Sequence, residues 1–183
     1  MTKATHRESI IHTLGKLPNE KKQVASTQIR NHLSHWLAIH QPNQLGAFVP
    51  VRNEPNIWPA LKNYATTNAL YLPKYNPKKN GYDWALYKEP LTASKFNIPE
   101  PATACGTPPT LDACVVPAVG IDPNGHRIGW GHGYFDRLLS TKIPHRIGII
   151  FDCQRISAPI KSDIWDIPLT GTITEQRHDA IDI

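Results

Sequence analysis

Ala113-Cys114-Val115-Val116-Pro117 is apolar at every position, and Ile147-Gly148-Ile149-Ile150-Phe151, entered through Arg146, repeats the pattern. A strand with one wet face alternates between apolar and polar residues; a strand apolar throughout has to be covered on both faces. Leu45–Val51, Ala69–Pro73 and Gly171–Thr174 are shorter runs of the same kind, and Trp84–Tyr87 suggests one more strand. Between these runs the apolar residues fall at helical spacing. One helix is expected over about 3–14, with Ile10, Ile11 and Leu14 inward. A second is expected to be capped by Ser26 or Thr27 and to run to His40 through Ile29, Leu33, Trp36 and Leu37. A third is expected over about 57–66, and a short fourth over about 134–140. Strands alternating with helices imply an α/β fold with a mainly parallel central sheet. The polar, basic stretch 74–81 reads as a loop, and the proline-spaced stretch 90–109 as an irregular excursion.

The chain has 183 residues, 40% of them hydrophobic, with no internal repeat and no linker, so residues 1–183 are expected to form one domain with a core of its own. Its net charge of +5 favours an anionic partner, but the Lys and Arg residues are scattered rather than run together. A small anionic ligand therefore fits better than nucleic acid. Three cysteines without a CxxC pair argue against a disulfide framework and against structural zinc, and Cys153 reads as buried filler. No HxH or HExxH pattern supports metal hydrolysis. With no apolar stretch of membrane-spanning length and no apolar leader, the expectation is a cytoplasmic protein without membrane contact.

The chemistry concentrates in Arg127-Ile128-Gly129-Trp130-Gly131-His132-Gly133-Tyr134-Phe135-Asp136. Glycine at every second position lets the backbone close around a ligand and turn its N–H groups inward, and a helix start adds unpaired donors. Polyphosphate suits such a cradle. Arg127 and His132 could add donors, and Asp136 could hold a metal on the same phosphates. Taken alone, the run reads equally well as a tight hairpin whose glycines serve only backbone geometry. It is neither a Walker motif nor a dinucleotide fingerprint, and the turn Asp122-Pro123-Asn124-Gly125 precedes it.

The whole stretch from Val116 to Leu139 resembles the signature V-P-G-x-A-F-D-x-x-G-x-R-L-G-x-G-x-G-Y-Y-D-R-x-L of the 5-formyltetrahydrofolate cyclo-ligases, or methenyltetrahydrofolate synthetases. Lys3 and Arg7 are similar to the K-x-x-x-R with which that family opens. Asn53-Glu54, Ile98-Pro99-Glu100-Pro101, Phe151-Asp152-Cys153-Gln154 and Asp166-Ile167-Pro168-Leu169 resemble further family segments. The resemblance implies a three-layer α/β/α fold like that of phosphosugar isomerases and CoA transferases. It also implies ATP-dependent cyclisation of 5-formyltetrahydrofolate to 5,10-methenyltetrahydrofolate, with release of ADP and phosphate. The cofactors implied are Mg2+ and ATP, and the partners are small molecules only, acting on a monomer, with a polyglutamate tail on the folate as an open point.

By the same resemblance, Lys3, Arg7, Arg127 and the run Ile128, Gly129, Trp130, Gly131, His132, Gly133, Tyr134 and Phe135 would hold ATP, with Lys3, Arg127 and Tyr134 serving catalysis. Val49, Glu54 and Trp130 to Tyr134 would hold the folate, and Asp136 and Asp166 the magnesium. Lys74 and Tyr75 are candidates for the folate's glutamate tail. The sequence departs from the pattern at Phe135, where a second tyrosine is usual, at His132 and Thr170, and at Glu8 and Ser9, where basic residues often continue the opening motif. These departures bear on substrate preference and rate more than on the phosphate site. Two rivals from other classes are a non-catalytic nucleotide or nucleic-acid binder and a phosphosugar isomerase. The first lacks interleaved basic and aromatic residues, and the second rests on fold analogy alone.

Overall fold

In the computed structural model, residues 2–94, 97–107, 109–131, 133–139, 142–163 and 165–181 are described, Tyr134 by its backbone alone. The chain opens with α1 (Lys3–Lys16), whose first turn is capped by Thr2: the Thr5 N–H donates to Thr2 Oγ1 at 3.2 Å. Ile10 and Leu14, one turn apart, are its buried residues. The second helix, α2, spans Asn19–His40, a full two turns longer at its start than expected. Pro18 precedes it, where a missing N–H costs nothing, and the Lys- and Glu-rich first turns are good helix formers. Ser26 and Thr27 are not caps. Ser26 is buried in mid-helix and its Oγ accepts from the Asn56 N–H at 3.1 Å, while the Thr27 hydroxyl donates to the Gln23 carbonyl at 3.0 Å. Ile29 and Leu33 are fully buried, so truncating either to alanine would cost roughly 2–5 kcal/mol.

A seven-stranded sheet follows, built from β1 (Gln44–Gly46), β2 (Ala69–Asn76), β3 (Gly81–Leu86), β6 (Ala113–Pro117), β9 (His145–Ile149), β10 (Gly171–Ile173) and β11 (His178–Ala180). Its order is β11-β10-β9-β6-β1-β2-β3. The five central strands are parallel, and β11 and β3 close the two edges antiparallel. Strand β6 shows why: Ala113 and Val115 pack into one apolar cluster, Cys114 and Val116 into another on the opposite face. Helices α1, α2 and α3 (Trp58–Tyr64) cover the first face. The second is covered by the five-residue α4 (Tyr134–Leu138) with Leu139, Ile143 and Leu169, so the third layer of the expected sandwich is thin.

Three local expectations need correction. The run from Leu45 ends as a strand at Gly46, where a Cβ would stand 2.7 Å from Leu111 Cδ1 and 2.9 Å from Trp84; beyond it the chain leaves the sheet. The stretch 74–81 is a hairpin rather than a free loop: β2 continues to Asn76, a turn spans 77–80, and β3 begins at Gly81, paired with Asn76. The excursion 90–109 carries a two-residue hairpin, β4 (Thr92–Ala93) with β5 (Pro99–Glu100). The turn at Asp122–Gly125 is as expected: it joins β7 (Gly120–Ile121) to β8 (Arg127–Ile128), with the Asn124 and His126 N–H groups donating to Asp122 Oδ1 and Gly125 at φ +80°. No helix among the described residues is long and apolar enough to cross a membrane.

Candidate active site

From β1 the chain winds one way, to its neighbour β2; from β6 it winds the other way, to β9. β1 and β6 are neighbours, so the sheet has its topological switch point between them. In open α/β sheets that is where a crevice opens beyond the carboxyl ends of the strands. A cavity of about 580 Å³ lies there. Phe48, Val49, Val51, Arg52 and Glu54, which follow β1, line it, as does Pro117 at the end of β6. Arg127, Gly129, Trp130, Gly133, Phe135 and Asp136 line it from the glycine run.

The glycine run connects β8 to α4 through backbone only glycine adopts freely: Gly131 has φ +108°, and Gly133, at φ +61°, is the N-cap of α4. A five-residue helix has little dipole, so the loop's own N–H groups and the nearby side chains must supply the positive potential. Arg127 is the chief of these. It is 8% exposed, its Nη2 donates to Asp136 Oδ1 at 2.5 Å, and its guanidinium lies 5.9 Å from the centre of the Phe135 ring. Its Nε is buried and has no hydrogen-bond partner among the described residues. Burial pulls the Arg127 pKa down, and the carboxylates of Asp136 and Asp166 push it back up. A buried N–H without a partner, on a cation lining a cavity, is the mark of a missing acceptor.

Helix α1 brings two more cations to this end. Arg7 Nε donates to the Gly129 carbonyl at 2.8 Å, tying the helix to the glycine run. One turn earlier, Lys3 pairs closely with Asp166 and, at 3.3 Å, with Asp163. Burial lowers the Lys3 pKa, but hydrogen bonds and charge from the two aspartates outweigh it and hold the ammonium above its usual range. Burial likewise raises Asp166, and the Asp163 N–H, Lys3 and Arg127 more than cancel the effect, leaving it below the usual carboxylate range. Asp136 and Asp166 thus act on one arginine from separate segments. Among the described residues no group of three His, Cys, Asp or Glu side chains is placed to hold a metal. The two carboxylates, Asp136 and Asp166, are donors of the kind magnesium takes, a hard cation that uses few protein oxygens.

Glu54, also on the cavity lining, accepts from the Val51 N–H at 2.8 Å through Oε2 and from the Trp130 indole N–H at 2.9 Å through Oε1. Burial pushes the Glu54 carboxyl up; these two donors and the charge of Arg52 only partly offset it. Arg52, in the left-handed region at φ +56°, sits 5.6 Å over the Trp130 ring.

Of the residues singled out in the sequence, Val49, Glu54, Arg127, Gly129, Trp130, Gly133, Phe135 and Asp136 line the cavity. Lys3, Arg7 and Asp166 stand behind it, joined through Gly129 and Arg127. The Ile128 side chain is buried in the core, which leaves only its backbone for a ligand. His132 and the Tyr134 side chain lie outside the described residues. Lys74 does not line the cavity itself but pairs at 2.7 Å with Glu100, which does. Cys153 is exposed rather than buried, on a single helical turn at Asp152–Gln154. Sequence reasoning missed Arg52, which carried no signal. It also missed the wall formed by Tyr82 and by Asn97 to Glu100, for which the segment Ile98–Pro101 was a signal without an assigned role.

A glycine-rich loop and a cavity that meet at the switch point of a mainly parallel sheet mark an α/β protein with a candidate ligand site there. The sequence matches the 5-formyltetrahydrofolate cyclo-ligase family over residues 1–175. The 5-formyltetrahydrofolate cyclo-ligase of Escherichia coli K12 is 24% identical over 172 residues, covering 88% of this chain and 93% of its own. That of Mycolicibacterium smegmatis is 25% identical over 187 residues, covering 96% and 95%. The solved structure of Aquifex aeolicus 5,10-methenyltetrahydrofolate synthetase superposes with a TM-score of 0.85 at 24% identity, covering 100% of this chain and 94% of that one. The chain belongs to the 5-formyltetrahydrofolate cyclo-ligase family. It is an enzyme of that family, and the activity is the ATP-dependent cyclisation of 5-formyltetrahydrofolate to 5,10-methenyltetrahydrofolate.

Proposed function

We propose that the switch-point cavity holds the folate with its formyl group against the glycine run, and that the γ-phosphate of ATP meets the formyl oxygen there. The observation that carries this reading is Arg127: a buried cation on the cavity wall whose Nε lacks an acceptor, set where the glycine run begins. A formamide oxygen is a poor leaving group. In the first step it attacks the γ-phosphorus, an O–P bond forms, and ADP leaves. In the second, N-10 attacks the activated carbon, loses its proton, and expels the oxygen as phosphate.

Such a transfer asks for placement and charge neutralisation more than for a covalent nucleophile. Arg127 would face the transferred phosphoryl group, and the loop N–H groups of Gly129 to Phe135 would hold its neighbours. Lys3 and Arg7 would exchange part of their present contacts for phosphate oxygens. Asp136 and Asp166 would hold magnesium, which when bound neutralises phosphate charge. Glu54 would accept from the amino and N–H edge of the pterin, with Val49 and Trp130 bordering the ring. The free cysteines, Cys105, Cys114 and Cys153, support a reducing, cytoplasmic setting.

The test mixes protein, magnesium-ATP and 5-formyltetrahydrofolate and follows the absorbance of the methenyl product alongside ADP release. Product and ADP should appear in equal amounts, each dependent on both substrates. ADP released at the same rate without folate would overturn the shared-wall geometry.

A further inference from the structure

We propose that the pair of half-buried Lys74 and buried Glu100 is a positioning clamp that sets the folate-side wall of the cavity; this rests on the reading of that cavity as the folate site. Asn97, Ile98, Pro99 and Glu100 all line the cavity, and all belong to the β4–β5 hairpin. That hairpin has two residues per strand, and a ladder so short holds no position by itself. Its own closure adds the Ser94 N–H to the Ile98 carbonyl and the Ile98 N–H to Ser94 Oγ, both within the hairpin.

Glu100 anchors it to the main sheet. The residue is 5% exposed, and its two oxygens are divided between the two kinds of donor that β2 offers at that point. Oε1 accepts from Lys74 Nζ at 2.7 Å and Oε2 from the Tyr75 backbone N–H at 2.9 Å. A buried carboxylate needs both. β2 is in turn locked to β3 from Tyr71 to Asn76, and β3 supplies Tyr82 to the same wall. The carboxylate therefore transmits the position of a rigid sheet edge to a hairpin that would otherwise be free to shift. It acts on substrate by placing its neighbours, Asn97 and Ile98. Among the described residues no hydrogen bond or ion pair joins it to Lys3 or Arg7, whose partners are Asp163 and Asp166 for the first and the Gly129 carbonyl for the second.

The experiment compares Glu100→Ala, Glu100→Gln and Lys74→Met with the parent enzyme, measuring KM for 5-formyltetrahydrofolate, KM for ATP and kcat. Displacing a substrate wall by a fraction of an ångström costs roughly 10–100-fold. Glu100→Ala is expected to raise the folate KM by about tenfold or more, with the ATP KM and kcat moving much less. Glutamine keeps one acceptor, enough for the Tyr75 N–H, and turns its amide NH2 toward Lys74, so Glu100→Gln should recover only part of that loss. Lys74→Met, which strands the carboxylate, should fall on the side of Glu100→Ala, and Lys74→Met with Glu100→Gln should be milder than Lys74→Met alone.

A folded Glu100→Ala enzyme with a parental folate KM overturns the clamp, as does an equal rise in both KM values. If Glu100→Ala fails to fold, the comparison of Lys74→Met with the double variant decides on the same criterion. Glu54→Ala serves as the control for the underlying reading. If it too leaves the folate KM unmoved, the cavity is not the folate site; if it raises that KM while the Glu100 variants do not, only the clamp fails.

Discussion

The Trp130 indole N–H donates to Glu54 Oε1 at 2.9 Å, joining two segments 76 residues apart that both line the switch-point cavity. One carboxylate thus fixes the wall next to the glycine run while presenting its remaining lone pairs to the cavity. Because burial raises the Glu54 pKa above its ordinary 4.5, the group protonates earlier on acidification than a surface glutamate. A protonated carboxyl has lost acceptor capacity toward the pterin. Folate KM is therefore expected to rise as pH falls toward that raised value, and Glu54→Gln should raise it at neutral pH and abolish this limb. A pH profile of kcat/KM for 5-formyltetrahydrofolate checks both.

Arg127 is expected to matter for the chemical step more than for binding. Its fork reaches Asp136 and leaves Nε unpaired, an arrangement lysine cannot copy. Arg127→Lys should lower kcat by roughly 10²–10³, the usual cost of losing one preorganised donor to a transferring group, with a smaller change in folate KM. Steady-state kinetics decide it, together with a melting curve. An unaltered kcat in a folded variant would remove Arg127 from the transfer.

What could be read in advance follows physical locality. The apolar runs of β6 and β9 declared a sheet covered on both faces, because each residue there meets a neighbour sheet-side whichever way it points. The start of α2 was missed because Ser26 and Thr27 mimic caps; their hydroxyls are satisfied by Asn56 N–H and the Gln23 carbonyl, partners visible only in three dimensions or in a helix already formed. The end of β2 was missed because Lys74, Tyr75 and Asn76 are polar, as an edge hairpin permits. The switch point was illegible for another reason: it depends on strand order, and no residue encodes it. The glycine run, Arg127, Glu54 and Asp136 were legible through the family pattern, whereas Arg52 and the wall at Asn97–Glu100 became meaningful only once the cavity existed.

Asp136 and Asp166 each hold a cation already, Arg127 and Lys3, and both influence Arg127. A magnesium ion recruited with ATP would share these carboxylates. Asp136→Asn and Asp166→Asn are each expected to raise the magnesium concentration for half-maximal rate, by about tenfold or more. The Asp166 variant should also raise the ATP KM, because it releases Lys3 from its partner. Titrating magnesium at fixed ATP separates the two effects, and a parental magnesium requirement in Asp136→Asn would take the metal away from that residue.

Far from the cavity, His40 stacks on Trp36, with ring centres 4.2 Å apart, and meets His145 edge-on at 5.2 Å. Trp36 also touches His145 and His178, so α2 closes over the ends of β9 and β11 with imidazoles on every side. Burial lowers the His145 pKa, with help from His40 and Arg146. His178 is lowered by burial, His40 and His32, and raised in part by Asp179. The folded state therefore keeps both rings neutral at a pH where the unfolded chain, with the ordinary value of 6.5, already takes up protons. Stability from this cluster is complete above 6.5 and is lost as pH falls below it. The rings are largely exposed, so solvent screens them and the loss should stay within about 1 kcal/mol, roughly 2–4 °C in melting temperature for a domain of this size. His40→Gln removes the neighbour common to both rings and should shrink the acid-side loss, and added salt should do the same in the parent protein. Melting curves on either side of pH 6.5, at low and high salt, check it; an acid-side loss unchanged by both would place its cause elsewhere in the fold.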